Sequence, residues 1–194
     1  VTLIPMAWRG EDDPSRHDRA VVGFAATGMT AHGTSITGAY ALAWSLDALD
    51  GWRTRELRVS VHGDGWSRTL VLARAEDATW SAEAATQGAP SLPAAGIDRP
   101  DEIAGADDCD LGLCPVTNTM PIRRLRLQHA EVPPRALVMA MVEVPSLRVV
   151  RSEQVYRSVS ADTVGFRSGD FRAVLGVDGN GLVTDYPSLA RRVH

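Results

Sequence analysis

Apolar and polar residues alternate with a period of two along much of the chain. Tyr40, Leu42, Trp44 and Leu46 alternate with Ala41, Ala43 and Ser45. Leu57, Val59 and Val61 alternate with Arg58, Ser60 and His62, and Phe171, Ala173, Leu175 and Val177 with Arg172, Val174 and Gly176. Each pattern predicts a strand with one buried face. His62–Ser67 (HGDGWS) and Val177–Val183 (VDGNGLV) carry the glycines that tight hairpins require. Leu137–Val144 is almost wholly apolar, and Pro133-Pro134 and Pro145 bound it to a strand's length. Val149–Ser158 and Val164–Arg167 read as further strands. Little has a helical period. Pro187–Val193, with proline at its start, is expected to form a helical turn, and part of Asp47–Trp52 a turn.

The expected fold is therefore all-β: a large curved antiparallel sheet, either an open barrel or a two-layer sandwich, with few short helices. At 194 residues one domain spanning 1–194 is expected. Thr86–Asp107, rich in Ala, Gly, Pro and acids, reads as a surface loop or insertion. It separates roughly four strands from roughly five or six. A sheet of that size has a concave face, where small molecules bind.

Charge narrows the functions. The net charge of −4 argues against nucleic acid as a partner. All 20 basic residues are arginine, so lysine Schiff bases, a pyridoxal phosphate anchor and a P-loop lysine are excluded. Every cation is a guanidinium, suited to bidentate recognition and to stacking on aromatic rings. No apolar run is long enough to span a bilayer, and VTLIPMAWRGEDD does not read as a signal peptide. A soluble, cytoplasmic protein is the expectation. Cys109 and Cys114 make no disulfide framework, and the scattered histidines form no metal-ligand pair, so neither a metal nor a cofactor is expected.

Candidate chemistry gathers around Pro115–Leu127, PVTNTMPIRRLRL. Thr117, Asn118 and Thr119 either cap a turn or hydrogen-bond a ligand. Read as a strand, the segment places Arg123 on the apolar side with Leu125 and Leu127, and Arg124 on the polar side. Arg123 then needs a partner: a carboxylate such as Asp108 or Asp110, backbone carbonyls, or a bound anion. Asp107, Asp108 and Asp110 lack the spacing of a calcium loop and read as solvated charges or arginine partners. Trp44 belongs to the core by its alternation, whereas Trp52, after Asp50-Gly51, suits either core or a ligand surface. No catalytic motif selects a triad or a metalloprotease site.

CDLGLCPVTNTMPIRRLRL, SEQVYRSV and VDGNGLVTDYPSLARRV, in that order, resemble the motifs of the bacterial putative glycolipid-binding proteins. That family shows an acidic-Leu element, a Pro-Phe-Thr-Asn-Thr-Leu-Pro-Ile-Arg-Arg-Leu core and a Gln-x-Tyr element. An Asp-Gly hairpin then leads to Asp-Tyr-Pro and a terminal Arg-Val. Trp8, Gly38–Tyr40 and Trp52–Arg55 fit more loosely. Val116 stands where phenylalanine is usual, Met120 where leucine is, and Cys114 at a position more often polar. The resemblance implies an all-β fold similar to that of periplasmic lipoprotein carriers. With it, the residues point to non-catalytic binding of an amphipathic small molecule, a glycolipid in one version. Thr117, Asn118, Arg123 and Arg124 would lie near its headgroup, and Trp52, Gln154, Tyr156 and Tyr186 would line nearby surface. The alternatives are an enzyme using Asp108 or Asp110 on a phosphorylated or glycosylated small molecule, or a subunit of a structural homo-oligomer.

Overall fold

The computed structural model describes residues 2–49 and 51–193. Seven strands form a meander: β1 (Leu3–Gly10), β2 (His17–Phe24), β3 (Met29–Ile36), β4 (Ala41–Leu49), β5 (Arg53–Gly63), β6 (Trp66–Arg74) and β7 (Trp80–Gln87). Two short strands follow, β8 (Gly96–Ile97) and β9 (Asp108–Leu111). A 3-10 turn over Pro115–Asn118 then runs into a six-residue helix, α1 (Thr119–Arg124). A second meander closes the chain: β10 (Arg135–Val142), β11 (Arg148–Ser158), β12 (Thr163–Ser168), β13 (Phe171–Val177), β14 (Val183–Tyr186) and β15 (Ala190–Arg192).

The two meanders are one sheet. β15 pairs antiparallel with β1, placing Trp8 opposite Arg192 and Gly10 opposite Ala190. The strand order is β7-β6-β5-β4-β3-β2-β1-β15-β14-β13-β12-β11-β10-β9, so the sheet is open, with β7 and β9 at its ends. It folds over on itself. β8 pairs with β11 while resting on β7. β9 approaches β5, where the Thr54 amide donates to the Asp107 carbonyl at 3.2 Å and the Cys109 amide to Thr54 Oγ1 at 2.8 Å. The expected all-β fold with a large curved antiparallel sheet is what the chain adopts.

Inward side chains of both halves face each other. One core joins Trp8, Val22, Leu57 and Leu72 to Leu111, Val142 and Val149. A second gathers Met139, Tyr156, Val164, Phe166 and Leu175. Trp44, 7% exposed, lies in the first core as its alternation requires. The strands expected over 40–46, 57–61, 137–144, 149–158, 164–167 and 171–177 are present.

Three readings are corrected. The N-terminal half holds seven strands before residue 88, not four. The C-terminal stretch after Pro187 is a turn and then β15, because its backbone pairs with β1 and β14 rather than with itself. Part of Asp47–Trp52 is a turn, as expected: β4 continues to Leu49 and Gly51 and Trp52 make the turn, while Asp50 lies outside the described residues. Most consequentially, Arg123–Leu127 is not a strand. Apolar side chains at Met120, Pro121 and Ile122 wrap a single helical turn that buries 115–122 between the two cores. Of the 86–107 stretch, much is exposed, but Ile103 and Ala106 are fully buried. Arg68 ties that stretch down by donating to the Pro93 and Ser146 carbonyls.

Candidate functional site

The helical segment plugs the concave side of the sheet. Pro115 starts it, where a missing N–H costs nothing. Val116 and Met120 enter the first core and Ile122 the second. The smaller residue at Val116 is wholly buried, so the phenylalanine usual there would fill core and not a ligand surface.

The plug's polar side chains meet a carboxylate. Thr117 Oγ1 donates to Asp110 Oδ1 at 2.8 Å, and Gln154 Nε2 donates to Asp110 Oδ2 at 2.6 Å. The Tyr156 hydroxyl lies 2.9 Å from Asn118 Oδ1 and 3.0 Å from Gln154 Oε1, two acceptors for one proton. Four of the eight sequence-predicted residues, Thr117, Asn118, Gln154 and Tyr156, therefore converge, as β11 turns alternate side chains inward beneath the plug. Asp110 forms no salt bridge to a described arginine. Burial pushes its carboxyl above the usual carboxylate range, against the two donors that pull it down. Burial likewise raises the phenol of Tyr156 well above its ordinary value.

Arg124, not Arg123, is the arginine with a buried partner. Its Nη1 and Nη2 donate to Asp108 Oδ1 and Oδ2, both at 2.6 Å, and Nη1 also reaches the Trp52 carbonyl at 3.2 Å. The assignment of that role to Arg123 rested on strand alternation, which a helix does not obey. Asp107 takes Arg53 at 2.8 Å and Arg74 at 3.2 Å. Burial raises the Asp108 pKa more than Arg124 lowers it, and Asp108 in turn holds Arg124 above its ordinary value.

Arg123 points the other way. Its guanidinium carbon sits 4.7 Å from the Trp52 ring centroid and 5.9 Å from that of Phe24. Trp52 is positioned for this by a left-handed backbone, φ +65°, and by its amide donating to the Thr27 carbonyl at 3.0 Å. Arg123 and Trp52, with Ile122, Arg126, Gln128 and His129, line a recess of about 190 Å³. Tyr186 belongs to neither group. It packs edge-on to Phe166 at 5.7 Å and lies 6.0 Å from Phe171, extending an aromatic row from Tyr156 toward the exposed rim.

The plug leaves little interior space. A cavity of about 20 Å³ between Trp8, Tyr40, Trp44, Leu111 and Cys114 has room for about one water. The apolar hollow of useful size lies outside, across β1–β4. Outward-facing Pro5, Ala7, Val21 and Ala43 floor a groove of about 730 Å³, with Arg19, His32 and Arg192 also lining it. Small side chains make the hollow. Ala43, Thr34, Arg19 and Ala7 form one cross-strand row, and His32, Val21 and Pro5 the next. Sequence reasoning missed this groove because β1–β3 were not recognised. The available signal was the alternation of Met6 and Trp8, and of Ala20 and Val22, with smaller or polar neighbours.

The model of one family, described as putative glycolipid-binding, matches residues 5–192. The chain belongs to that family. A DUF1089-family protein from Pseudomonas aeruginosa has a similar crystal structure. It is 27% identical, the match covers 100% of this chain and 93% of that one, and the TM-score is 0.67. No curated protein matches. The putative glycolipid-binding family thus enters with the fold and the motif order that its resemblance implied. In this member the Thr-Asn-Thr and Arg-Arg elements of that motif are built into the plug and its anchors.

Proposed function

We propose that the chain is a non-catalytic binding protein for an amphipathic small molecule, in keeping with the family's description. The observation that carries the reading is the β1–β4 groove. Its volume, about 730 Å³, falls within the range of small-molecule sites. Its floor is apolar, and Arg19, His32 and Arg192 supply the few polar groups that would orient a headgroup. An alkyl chain would lie across Ala7, Val21 and Ala43, and a hydroxylated or anionic headgroup would meet the guanidinium groups. Thr117, Asn118, Arg124, Gln154 and Tyr156 serve this site indirectly, by holding the plug against which the sheet folds.

The enzyme alternative fits less well. Asp108 is sealed from solvent with both oxygens engaged by Arg124, so it has no path to a substrate. Asp110 has each oxygen committed to Thr117 or Gln154.

The Trp52–Arg123 recess supports a second reading. At about 190 Å³ it suits a headgroup alone, with Arg123 preorganised by the indole. The two readings separate by mutation. Ala43→Trp fills the groove and should abolish retention of a fluorescent alkyl-chain probe while leaving the melting temperature near wild type. Loss of retention in Arg123→Ala instead, with Ala43→Trp unaffected, would place the ligand in the recess.

A further inference from the structure

The outer face of β11–β13 carries three exposed arginines in an arrangement that the fold does not neutralise. Arg167 on β12 lies directly opposite Arg172 on β13. Arg157 on β11 lies opposite Gly165, two residues from Arg167 along β12. Like charges directly across a sheet are destabilising unless something compensates them. A second such pair, Arg9 opposite Arg191, shows the usual remedy: Glu11 at 2.9 Å and Asp185 at 3.3 Å both hold Arg191. Among the described residues Arg157, Arg167 and Arg172 form no salt bridge, on a chain whose net charge is −4.

Gly165 sets the position of the third guanidinium. A Cβ at Gly165 would meet Arg157 Cγ at 2.7 Å, Nε at 2.8 Å and Cζ at 3.2 Å. Arg157 therefore lies flat across β12 rather than extending into solvent. The three arginines share a groove of about 550 Å³ with Pro134, Val155 and Val174. Val174, opposite Gly165 on the same face, is open at 46% exposed. Cations beside exposed aliphatic groups on a strand surface are complementary to phosphate groups lying over acyl chains.

We propose that this face docks onto an anionic phospholipid surface. Headgroup phosphates bind Arg157, Arg167 and Arg172, and Val174 enters the boundary below them. The inference is independent of the β1–β4 groove reading, because no residue is shared between the two.

Vesicle flotation tests it. The full chain is mixed with vesicles of phosphatidylglycerol and phosphatidylcholine in equal parts, or of phosphatidylcholine alone. It should float with the first and not the second, and added salt should release it. Arg167→Gln/Arg172→Gln should weaken partitioning about twenty-five-fold, since each arginine at such a surface contributes roughly fivefold. Arg9→Gln should change little, and thermal melts establish that each variant is folded. Equal partitioning onto both vesicle types, or a double variant that floats like wild type, overturns the proposal. So does binding of inorganic phosphate to these arginines without vesicle flotation, which would assign them to a free anion. Failure here leaves the groove reading standing, and Ala43→Trp should not alter flotation.

Discussion

Arg124 and Asp108 face each other across the interior in a bidentate pair, both N–O distances being 2.6 Å, with Asp108 fully buried. The pair anchors the end of α1 to the edge strand β9, and Arg124 also holds the Trp52 carbonyl. A single ionic contact thus ties the plug, the sheet edge and the β4–β5 turn together.

Neighbouring arginines should consequently behave differently. Arg124→Ala leaves Asp108 buried without its partner and should cost about 3–5 kcal/mol. Arg123→Ala loses mainly its stacking on Trp52, about 0.5–2 kcal/mol. Urea denaturation of the two variants measures the contrast. Similar losses would mean that the Asp108 pair does not anchor the fold.

Asp110 provides a pH test. Its folded-state pKa is raised above the unfolded value near 3.8, chiefly by burial. Between those two values the folded chain binds more protons than the unfolded one, so stability falls as pH rises through that window. Asp110→Asn removes this dependence while keeping a side chain of the same shape beside Thr117 and Gln154. The unfolding free energy of wild type minus that of the variant should decline as pH climbs from below 3.8. It should level off once the carboxyl is ionised in both states. Asp108 is present in both proteins and cancels in the difference.

Gly33 should tolerate no side chain. A Cβ there would fall 2.7 Å from Trp44 Cζ2 and against the Arg19 carbonyl oxygen. Trp44 lies across β3 only because position 33 is bare. Gly33→Ala should cost about 1–3 kcal/mol through overpacking, seen as a lower melting temperature and altered tryptophan fluorescence.

β4, β5 and β13 were legible from their period of two, whereas the almost wholly apolar β10 was legible from the prolines that bound it to a strand's length. β1–β3 were harder. Pro5, Ala7, Ala31 and Gly33 are small, so contrast between the faces is weak, and on the outer face the smallness of Pro5 and Ala7 helps to make the groove. The plug was illegible for a different reason. α1 is six residues long, too short to display a helical period, and Ile-Arg-Arg-Leu-Arg-Leu mimics alternation. Its helicity comes from tertiary packing. Thr117, Asn118, Gln154 and Tyr156 were named from the sequence, but as residues near a ligand and not as one buried cluster. What local pattern does not encode is that their partners are one another and Asp110. Pro187 misled in the opposite sense: it resembles a helix start, yet pairing with β1 decides the structure that follows.

The most direct test of amphiphile binding is the native mass of the gently purified protein, followed by organic extraction. The account predicts a stoichiometric adduct that releases a molecule with an apolar chain and a hydroxylated or anionic headgroup, and its absence from Ala43→Trp. A wild-type chain at its bare mass, with no such molecule in the extract, would contradict it.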